Sequence, residues 1–276
     1  MFRHRQPGFT WPRGFSLAAW ADTLALGRQC EVCRNWSHRS LCDPCLSHFA
    51  PVRARCTRCA LLLPEGPPSH TFMPICPRCM RLPQPQDRDA QAEALGASWS
   101  RACCAVDYAY PWDRMIARLK FGGASELAWP LSGLIVRALD DQGARAGSGG
   151  HITPEQQVDG IVAVPLSAPR LALRGYNQSW ELARAVARRL GRPAHPRALQ
   201  RHGSLTPQAQ AQRQERLRRQ QGAFIVPTSA RHVVAGRRLA LIDDVMTTGA
   251  TLQAATAALL EAGAAEVQVW AVARTA

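Results

Sequence analysis

The sequence contains no long hydrophobic run, almost no lysine and few aromatic residues. No segment reaches the roughly 18 uncharged apolar residues that a membrane helix requires, so we expect no membrane span. The apolar run from Phe15 to Leu26 is short, contains Asp22 and lacks a small-residue cleavage site, which argues against a secretory signal. Apolar residues make up 46% and charged residues 20%, which excludes a disordered chain. We therefore expect a globular, cytoplasmic protein.

The charge is strongly positive and is carried almost entirely by arginine. The 276 residues include 34 lysines and arginines against 20 acidic residues, a formal charge of +14, and Lys120 is the only lysine. Arginine suits bidentate contacts to phosphate, so a polyanion or a phosphorylated small molecule is an expected partner. A genome rich in arginine codons explains the same composition without a ligand. Aromatic residues amount to 7%, which gives little support for an extended base-stacking surface.

Cysteine is abundant, and eight of the ten cysteines form four Cys-x-x-Cys pairs. Because we expect a reducing compartment, a disulfide framework is disfavoured. Two residues between cysteines let both sulfurs of a tight turn face one metal, and two such turns complete a tetrahedral zinc site. Iron–sulfur ligation and redox pairs are the minor alternatives. The expected metal ligands are Cys30, Cys33, Cys42, Cys45, Cys56, Cys59, Cys76 and Cys79.

The cysteine pairs are expected to act in sequential order, the first four cysteines at one zinc and the last four at a second. Only eight residues separate the first two pairs, which is short enough for a local hairpin. An interleaved grouping, first pair with third and second with fourth, stays open on spacing alone. Two sites of four thiolates and one dication lower the formal charge from +14 to about +10. Cys103 and Cys104 lie outside the pattern and are expected to be buried thiols.

The chain divides by composition into four segments. Residues 1–28 combine a basic tail rich in proline and glycine with a short amphipathic helix from Ser16 to Leu26. Residues 29–82 form the zinc-binding module, which is too polar and proline-rich to keep a core without metal. Residues 83–99 are expected to be a linker. Residues 100–276 form a separate domain with a different pattern.

This last domain is predicted to be an α/β fold with a parallel sheet, because short buried strands alternate with helices along it. Continuous apolar runs predict strands covered on both faces, and glycine or proline marks the helix ends. The predicted strands are Ala102 to Tyr110, Ile161 to Val164, Leu239 to Ile242 and Val267 to Val272. The predicted helices are Pro111 to Phe121, Ser125 to Asp141, Asn177 or Ser179 to Leu190, and Ala250 to Ala262. A flexible loop is expected at Gln142 to Gly150.

The most informative stretch joins one of these buried strands to the helix that follows. Two carboxylates, Asp243 and Asp244, end the strand, and a short turn of hydroxyl residues follows. Ligands of open α/β sheets lie at the carboxyl ends of strands, and a helix start offers free N–H groups to a phosphate. The carboxylates are too near such a phosphate to serve it directly and fit a neighbouring diol or a divalent metal. The turn itself supplies hydroxyl groups and a close backbone approach through Thr247, Thr248, Gly249 and Thr251.

This stretch resembles the phosphoribosyl-diphosphate (PRPP) motif of type I phosphoribosyltransferases: a hydrophobic run, an acidic pair, two variable residues and Thr-Thr-Gly-x-Thr. The resemblance implies that Asp243 and Asp244 are catalytic and hold the ribose 2′ and 3′ hydroxyls. It implies a 5′-phosphate cradle formed by Thr247, Thr248, Gly249, Ala250 and Thr251. Some members of that family that use purine bases carry an acidic residue just before Thr-Gly. Thr247 stands there in this chain, which puts a general base at this position in doubt.

About residues 29–275 resemble the ComF/GntX group of phosphoribosyltransferase-like proteins, which join a cysteine-rich zinc module to a PRPP-type domain. The further motifs that carry this resemblance are Leu119 to Gly123, Val164-Pro165-Leu166, Arg170, Arg174 to Gln178 and a segment from Thr206 to Phe224. In that last segment the group's pattern has a leucine where Ala211 stands and an asparagine where Arg219 stands.

The resemblance also implies where the diphosphate of PRPP is held. It assigns the diphosphate to Pro165 and Leu166 and a phosphate contact to Lys120. Arg170 and Arg174 lie close enough in sequence to neutralise that group, and arginine–phosphate pairs are strong and geometrically specific. Residues 201–222 hold five arginines, one glutamate and six glutamines. They are interpreted as a solvated helix, as a mobile lid or as a strip facing nucleic acid.

Two functions from different classes are compatible with these motifs. The first is a Mg²⁺-dependent phosphoribosyltransferase that binds PRPP and transfers its phosphoribosyl group to a nitrogen acceptor that the sequence does not identify. The second is a non-catalytic protein that handles single-stranded DNA and keeps the PRPP fold as a binding module. The ComF resemblance implies a role in DNA uptake during competence, with the uptake machinery as a partner.

Overall fold

A computed structural model describes residues 27–64, 75–81, 98–145, 157–201 and 223–276. The predicted N-terminal tail and helix, most of the predicted linker and nearly all of the Arg/Gln-rich segment lie outside these residues. The chain divides into two compact units, one ending at His48 and one beginning at Phe49.

The unit that ends at His48 contains a small hairpin and very little apolar interior. Strand β1 (Arg28–Gln29) pairs antiparallel with β2 (Trp36–Ser37), and helix α1 (Asp43–Phe49) follows. Among the residues described in this unit, the buried apolar side chains are Cys30, Leu41 and Cys45. So small an apolar interior is typical of units that are stabilised by a metal or by cross-linked cysteines.

The unit from Phe49 onward contains a parallel sheet of four strands. The unit contains six strands among its described residues, four of which form this sheet. In chain order they are β3 (Arg101–Asp107), β4 (Gly160–Ala163), β5 (Gln200–Arg201), β6 (Phe224–Ile225), β7 (Arg238–Met246) and β8 (Glu266–Arg274). The order across the sheet is β3–β8–β7–β4, and each neighbouring pair is parallel. Strands β5 and β6 form a separate antiparallel pair.

Helices flank this sheet, and local sequence signals set their ends. The helices are α2 (Pro77–Met80), α3 (Trp112–Phe121), α4 (Ala128–Arg145), α5 (Ala168–Arg174), α6 (Gln178–Leu190) and α7 (Ala250–Glu261), with 3-10 turns at Ser125–Leu127 and Thr228–Val233. Helix α6 begins after Asn177, whose side chain accepts a hydrogen bond from the Ser179 N–H, and ends at the left-handed Gly191.

Strands β7 and β8 lie at the centre of the hydrophobic core. Residues Leu239–Ile242 of β7 and Val267–Ala273 of β8 are buried, as expected for strands covered on both faces. The predicted α/β class, with a parallel sheet flanked by helices after a cysteine-rich region, is confirmed. A polar side chain near the carboxyl end of β7 therefore lies next to a core that excludes water.

The structure differs from the sequence prediction mainly at the ends of elements. Helix α4 continues to Arg145, into the stretch expected to be a loop, because Gly143 is buried there and packing outweighs its low helix propensity. Helix α5 and the β5–β6 pair were not predicted. Cys103 and Cys104 on β3 are buried as expected, and burial raises the pKa of the Cys104 thiol to about 12.

Candidate functional site

The turn between β7 and α7 (residues 247–251) has a backbone that favours glycine at its centre. Gly249 has a φ of +84°, and a Cβ on it would lie 3.1 Å from Cη2 of Trp99 and 3.3 Å from Cε of Met246. Because α7 begins directly afterwards at Ala250, the N–H groups of its first turn stand close to the end of β7. Such a helix start is suited to bind an anion.

The side chains of this β7–α7 turn are accessible and rich in hydroxyl groups. Thr247, Thr248, Ala250 and Thr251 are exposed. The Thr248 Oγ1 accepts a hydrogen bond from the Ala250 N–H at 3.3 Å, which fixes the hydroxyl at the helix start. The residues predicted to cradle a phosphate therefore lie together on one accessible turn. Their contact with a phosphate stays a prediction.

The acidic pair, Asp243 and Asp244, lies near the carboxyl end of β7. Asp244 is 3% exposed, and its Oδ1 lies 2.9 Å from the Lys120 Nζ. Its Oδ2 is buried and has no hydrogen-bond partner among the residues that the structure describes. Asp243 Oδ1 accepts hydrogen bonds from the Ser179 hydroxyl at 2.8 Å and from the Asp244 N–H at 2.9 Å. A buried carboxylate oxygen without a donor costs free energy, so the pair is suited to a cation or to hydroxyl donors.

The environment of Asp243 moves its titration into the neutral range. Burial raises the pKa of Asp243 to about 7, and the negative charge of Asp244 adds to the effect. The hydrogen bond from Ser179 and the positive charge of Lys120 oppose the rise and do not cancel it. A carboxyl whose pKa is shifted by burial and by a like charge is characteristic of ligand-binding and catalytic sites.

The loop after β4 is held beside the same sheet edge. The Val164 N–H donates to the Ile242 carbonyl at 3.0 Å, so the carboxyl ends of β4 and β7 are neighbours. The Asn177 Nδ2 donates to the Val164 carbonyl at 3.0 Å while its Oδ1 caps α6. Pro165 and Leu166, predicted to meet a diphosphate, thus follow the strand adjacent to the one that carries the acidic pair. Their ligand contact also stays a prediction.

The structure brings only one of the three predicted basic residues onto the acidic pair. Lys120 reaches Asp244, and the neighbouring Leu119 carbonyl accepts a hydrogen bond from the Tyr176 hydroxyl. The Arg174 Nη1 donates to the Gln178 Oε1 at 2.9 Å, and its guanidinium lies 4.7 Å from the centre of the Phe121 ring. Arg170 is exposed on α5. The phosphate contacts predicted for both arginines are untested.

Sequence reasoning did not identify three residues that support this site. Ser179 was considered only as a helix cap, and its hydroxyl instead donates to Asp243. Trp99 and Arg274 contact the β7–α7 turn from segments far away in the sequence. The position of Ser179, two residues after the cap Asn177, was the only sequence signal for any of them.

The cysteines form two clusters in the predicted sequential order. In each cluster the four sulfur atoms lie within 4.8 Å of one another, and the Sγ atoms of Cys33 and Cys42, and of Cys59 and Cys76, are 3.7 Å apart. Zinc–sulfur bonds of about 2.3 Å in a tetrahedron place sulfurs about 3.8 Å apart. Both clusters are therefore compatible with structural zinc. The first cluster is Cys30, Cys33, Cys42 and Cys45, and the second is Cys56, Cys59, Cys76 and Cys79.

Within each cluster, one thiol has a lowered pKa and other thiols have a raised pKa. Burial raises the pKa of the Cys30 thiol, but hydrogen bonds from backbone N–H groups outweigh it and lower that pKa to about 6. A hydrogen bond from the Cys59 thiol lowers the pKa of Cys56 to about 4. Burial raises the pKa of Cys45, and it raises that of Cys79 to about 12. A bound dication favours the thiolate at all four positions, which is why such clusters bind metal.

The comparisons with known proteins agree with the class that the fold and the β7–α7 turn define. Residues 177–276 match the phosphoribosyl transferase domain family.

Among the described residues, no helix has the length and apolar character needed to cross a membrane.

Relatives that span most of the chain narrow this class further. The chain is 32% identical to the DNA utilization protein YhgH of Escherichia coli (strain K12) over 249 residues, 89% of this chain and 96% of that protein. It is 30% identical to Competence protein F of Haemophilus influenzae over 178 residues, 64% of this chain and 74% of that protein. The chain therefore belongs to the ComF/YhgH family, as its motifs indicated.

One solved structure shows a more distant likeness. Glutamine phosphoribosylpyrophosphate (PRPP) amidotransferase from B. subtilis, complexed with ADP and GMP, gives a TM-score of 0.37 at 19% identity. The match covers 56% of this chain and 30% of that protein. A likeness at this level adds nothing to the family assignment.

We expect the purified protein to contain about two zinc ions per chain, because each cluster offers four sulfurs at tetrahedral spacing. Elemental analysis measures the metal content, and iron in the same sample tests the iron–sulfur alternative. Cys42→Ser in the first cluster and Cys76→Ser in the second should each lower the content by about one ion. Less than about one zinc per chain in the wild type would contradict the assignment.

Proposed function

We propose that the chain binds PRPP with Mg²⁺ at the carboxyl edge of its sheet and transfers the phosphoribosyl group to a nitrogen acceptor. The 5′-phosphate is assigned to residues 247–251, where a helix start, three hydroxyl side chains and a left-handed glycine meet. The ribose hydroxyls are assigned to Asp243 and Asp244. The diphosphate is assigned to the loop of Pro165 and Leu166.

The observation that carries this proposal is an acidic pair, with Asp244 buried and Asp243 half-buried, next to an accessible turn at a helix start. Asp244 keeps a buried Oδ2 without a partner among the described residues, although a lysine neutralises the other oxygen. A phosphate alone would be repelled by the two carboxylates. A sugar phosphate gives each end of the site a suitable group, with the phosphate on the turn and the hydroxyls on the acids.

The residues present also fit Mg²⁺, which prefers oxygen ligands and keeps several of its waters. Two adjacent carboxylates supply oxygen, and the diphosphate of PRPP would supply more. Bound there, Mg²⁺ would neutralise charge on the leaving diphosphate. Lys120 adds positive charge at the same place. Its ammonium has three N–H donors, and the contact with Asp244 uses one of them, which leaves two for a phosphate oxygen.

This chain's residues stabilise charge and position the sugar, and none of those placed at the site is assigned as a base. In the proposed reaction a nitrogen of the acceptor attacks the anomeric carbon and the bond to the diphosphate oxygen breaks. Thr247 occupies the place of the acidic residue that handles a base proton in some related enzymes. The acceptor therefore has to release its proton to water or to another group. The site would therefore act by stabilising the charge on the leaving diphosphate and by holding the sugar in position.

The names of the relatives point to a role in the use of DNA. One relative is named a DNA utilization protein and another a competence protein. We propose that this chain acts in the same process, the uptake and use of DNA. A phosphoribosyl group is itself a building block of nucleotides, so an enzyme of this class is compatible with that process.

A second candidate function is the binding of single-stranded DNA without catalysis, and one surface favours it. The α3 strip consists of Tyr110, Arg114, Arg118, Phe121 and Arg174. Arg114 lies 5.1 Å from the centre of the Tyr110 ring, and Arg174 covers Phe121. Tyr110 is 54% exposed and Phe121 is 73% exposed. Alternating arginine and exposed aromatic rings suit phosphates and unstacked bases.

We expect calorimetry to detect binding of PRPP with Mg²⁺ to the wild type and a loss of about ten- to hundredfold in affinity for Asp244→Asn. The loss follows from removing a charged acceptor, worth about 1.5–3 kcal/mol. Asp159→Asn is the matched control, because Asp159 accepts from the Arg238 N–H at the amino end of β7. An absence of heat with the wild type would contradict the proposed function.

The affinity for PRPP with Mg²⁺ should depend on pH through Asp243. Its pKa of about 7 is raised, so the free protein takes up a proton as the pH falls through that value. Affinity should therefore be complete at about pH 8 and fall by up to about tenfold per unit below pH 7. The titration of the ligand phosphates is common to all variants. Asp243→Asn should lose the protein's part of this dependence, whereas Asp141→Asn, another carboxyl whose pKa burial raises, should keep it.

Binding of single-stranded DNA should weaken about tenfold in Phe121→Ala, since one base–aromatic stack is worth about 1–3 kcal/mol. The affinity should also fall steeply with salt, because arginines neutralise phosphates. Trp129→Ala is the matched control, since Trp129 is an exposed ring covered by Arg189 at 3.9 Å on a different helix, α4. Equal losses in both variants, or binding that ignores salt, would contradict a role for the α3 strip.

A further inference from the structure

Two side chains connect the backbone of the second cluster to the β7–α7 turn. Arg274 ends β8, and its Nε donates to the Cys59 carbonyl at 2.9 Å. The Nη1 of the same guanidinium donates to the Met246 carbonyl at 3.1 Å and also to the Thr247 carbonyl. One planar group thus holds a residue of the second cluster and the first residue of the turn.

The second connection is Trp99, which is 4% exposed. Its indole Nε1 donates to the Arg58 carbonyl at 2.7 Å, within the turn between Cys56 and Cys59. The Cη2 atom at the far edge of the ring lies 3.1 Å from the position that a Cβ on Gly249 would take. The ring therefore packs directly against the glycine of the β7–α7 turn, with one end hydrogen-bonded to the cluster.

The neighbouring residues fasten the same segments together. The Ser98 N–H donates to the Gln253 Oε1 at 3.1 Å, and the Gln253 Nε2 donates to the Ser98 hydroxyl at 2.6 Å, which ties the Trp99 segment to α7. The Ala102 N–H donates to the Thr57 carbonyl at 2.7 Å, so β3 receives a hydrogen bond partner from the cluster's own turn. These contacts all lie in the unit that begins at Phe49.

We propose that the second cluster positions the β7–α7 turn through Arg274 and Trp99, so that metal at the cluster and phosphate at the turn stabilise each other. The carbonyls of Arg58 and Cys59 belong to the turn that the bound metal closes. When the metal leaves, that turn opens, and both side chains lose their acceptors. Coupling between two binding sites is reciprocal, so each ligand should raise the affinity for the other by the same factor. The ligand half of this coupling rests on the function proposed above.

The first cluster provides an internal comparison, because it lies in the unit that ends at His48. Metal loss there removes a zinc ion of the same coordination without touching the carbonyls of Arg58 and Cys59. A general effect of zinc loss on the chain would appear with either cluster. The proposed positioning effect should appear with the second cluster alone.

Hydrogen exchange of the Gln253 backbone amide, which donates to the Gly249 carbonyl of the β7–α7 turn at 2.8 Å, tests the positioning without any ligand. In the full chain, Cys76→Ser should speed exchange at this turn by at least about tenfold, and Cys42→Ser should leave it unchanged. Arg274→Gln should speed exchange while both zinc ions remain bound, which separates positioning from metal loss. If Cys76→Ser does not fold, Arg274→Gln still decides the question. Unchanged exchange in Arg274→Gln, or equal effects of the two cysteine variants, would overturn the proposal.

Chelator kinetics test the reciprocal direction with ribose 5-phosphate as the probe. The probe should slow zinc loss from the second cluster about tenfold in the wild type and leave the first cluster unchanged. Trp99→Phe loses both the hydrogen bond to Arg58 and the outer edge of the indole that contacts Gly249, so it should show a smaller protection than the wild type. If neither ribose 5-phosphate nor PRPP with Mg²⁺ binds while exchange still depends on the second cluster, the proposed function fails and the positioning stands. If the probe binds without protecting that zinc, the coupling fails.

Discussion

The burial of one carboxylate at the end of a central strand determines most of the site. Strand β7 is covered on both faces, so the Asp244 side chain near its carboxyl end is almost completely shielded from water. An isolated charge there would be strongly destabilising. The fold offsets it with Lys120 from α3 and holds the adjacent Asp243 with Ser179 from α6. Two helices and two neighbouring strands therefore meet at this edge of the sheet, around the acidic pair.

The two cysteine clusters solve a different problem, which is the shortage of apolar side chains. The described part of the unit that ends at His48 buries few such groups, and its four clustered cysteines are compatible with a zinc ion that would stabilise the unit in place of a hydrophobic core. The second cluster has a further task. Its turn supplies carbonyl acceptors to Trp99 and Arg274, which connect it to the sheet domain. The second cysteine cluster therefore lies in the same compact unit as the sheet.

The sequence predicted those features that local chemistry decides. The acidic pair followed by threonines and a glycine, the buried apolar runs of β7 and β8, and the four Cys-x-x-Cys pairs all follow from neighbours close in the chain, whereas the grouping of those pairs stayed open on spacing. The supports of the site were not predictable in this way. Arg274 and Cys59 are 215 residues apart, and nothing in either neighbourhood indicates that they meet. Helix α5 was missed because none of its residues is buried, which leaves no hydrophobic periodicity to recognise.

The two candidate functions require surfaces of different charge, so their proposed ligands would bind at different places on the protein. A DNA strand offers phosphates without 2′ hydroxyls, and two carboxylates at one end of a site repel such a backbone. In the proposed function, the acidic pair would instead bind a sugar that carries free hydroxyls, together with a cation. In the proposed DNA-binding function, the strand would lie along the α3 strip, where arginines and exposed rings alternate. Because Phe121 directly follows Lys120, the end of that strip adjoins the residue that neutralises Asp244. Binding of nucleic acid and of a sugar phosphate would then meet at one helix end, without competing for the same atoms.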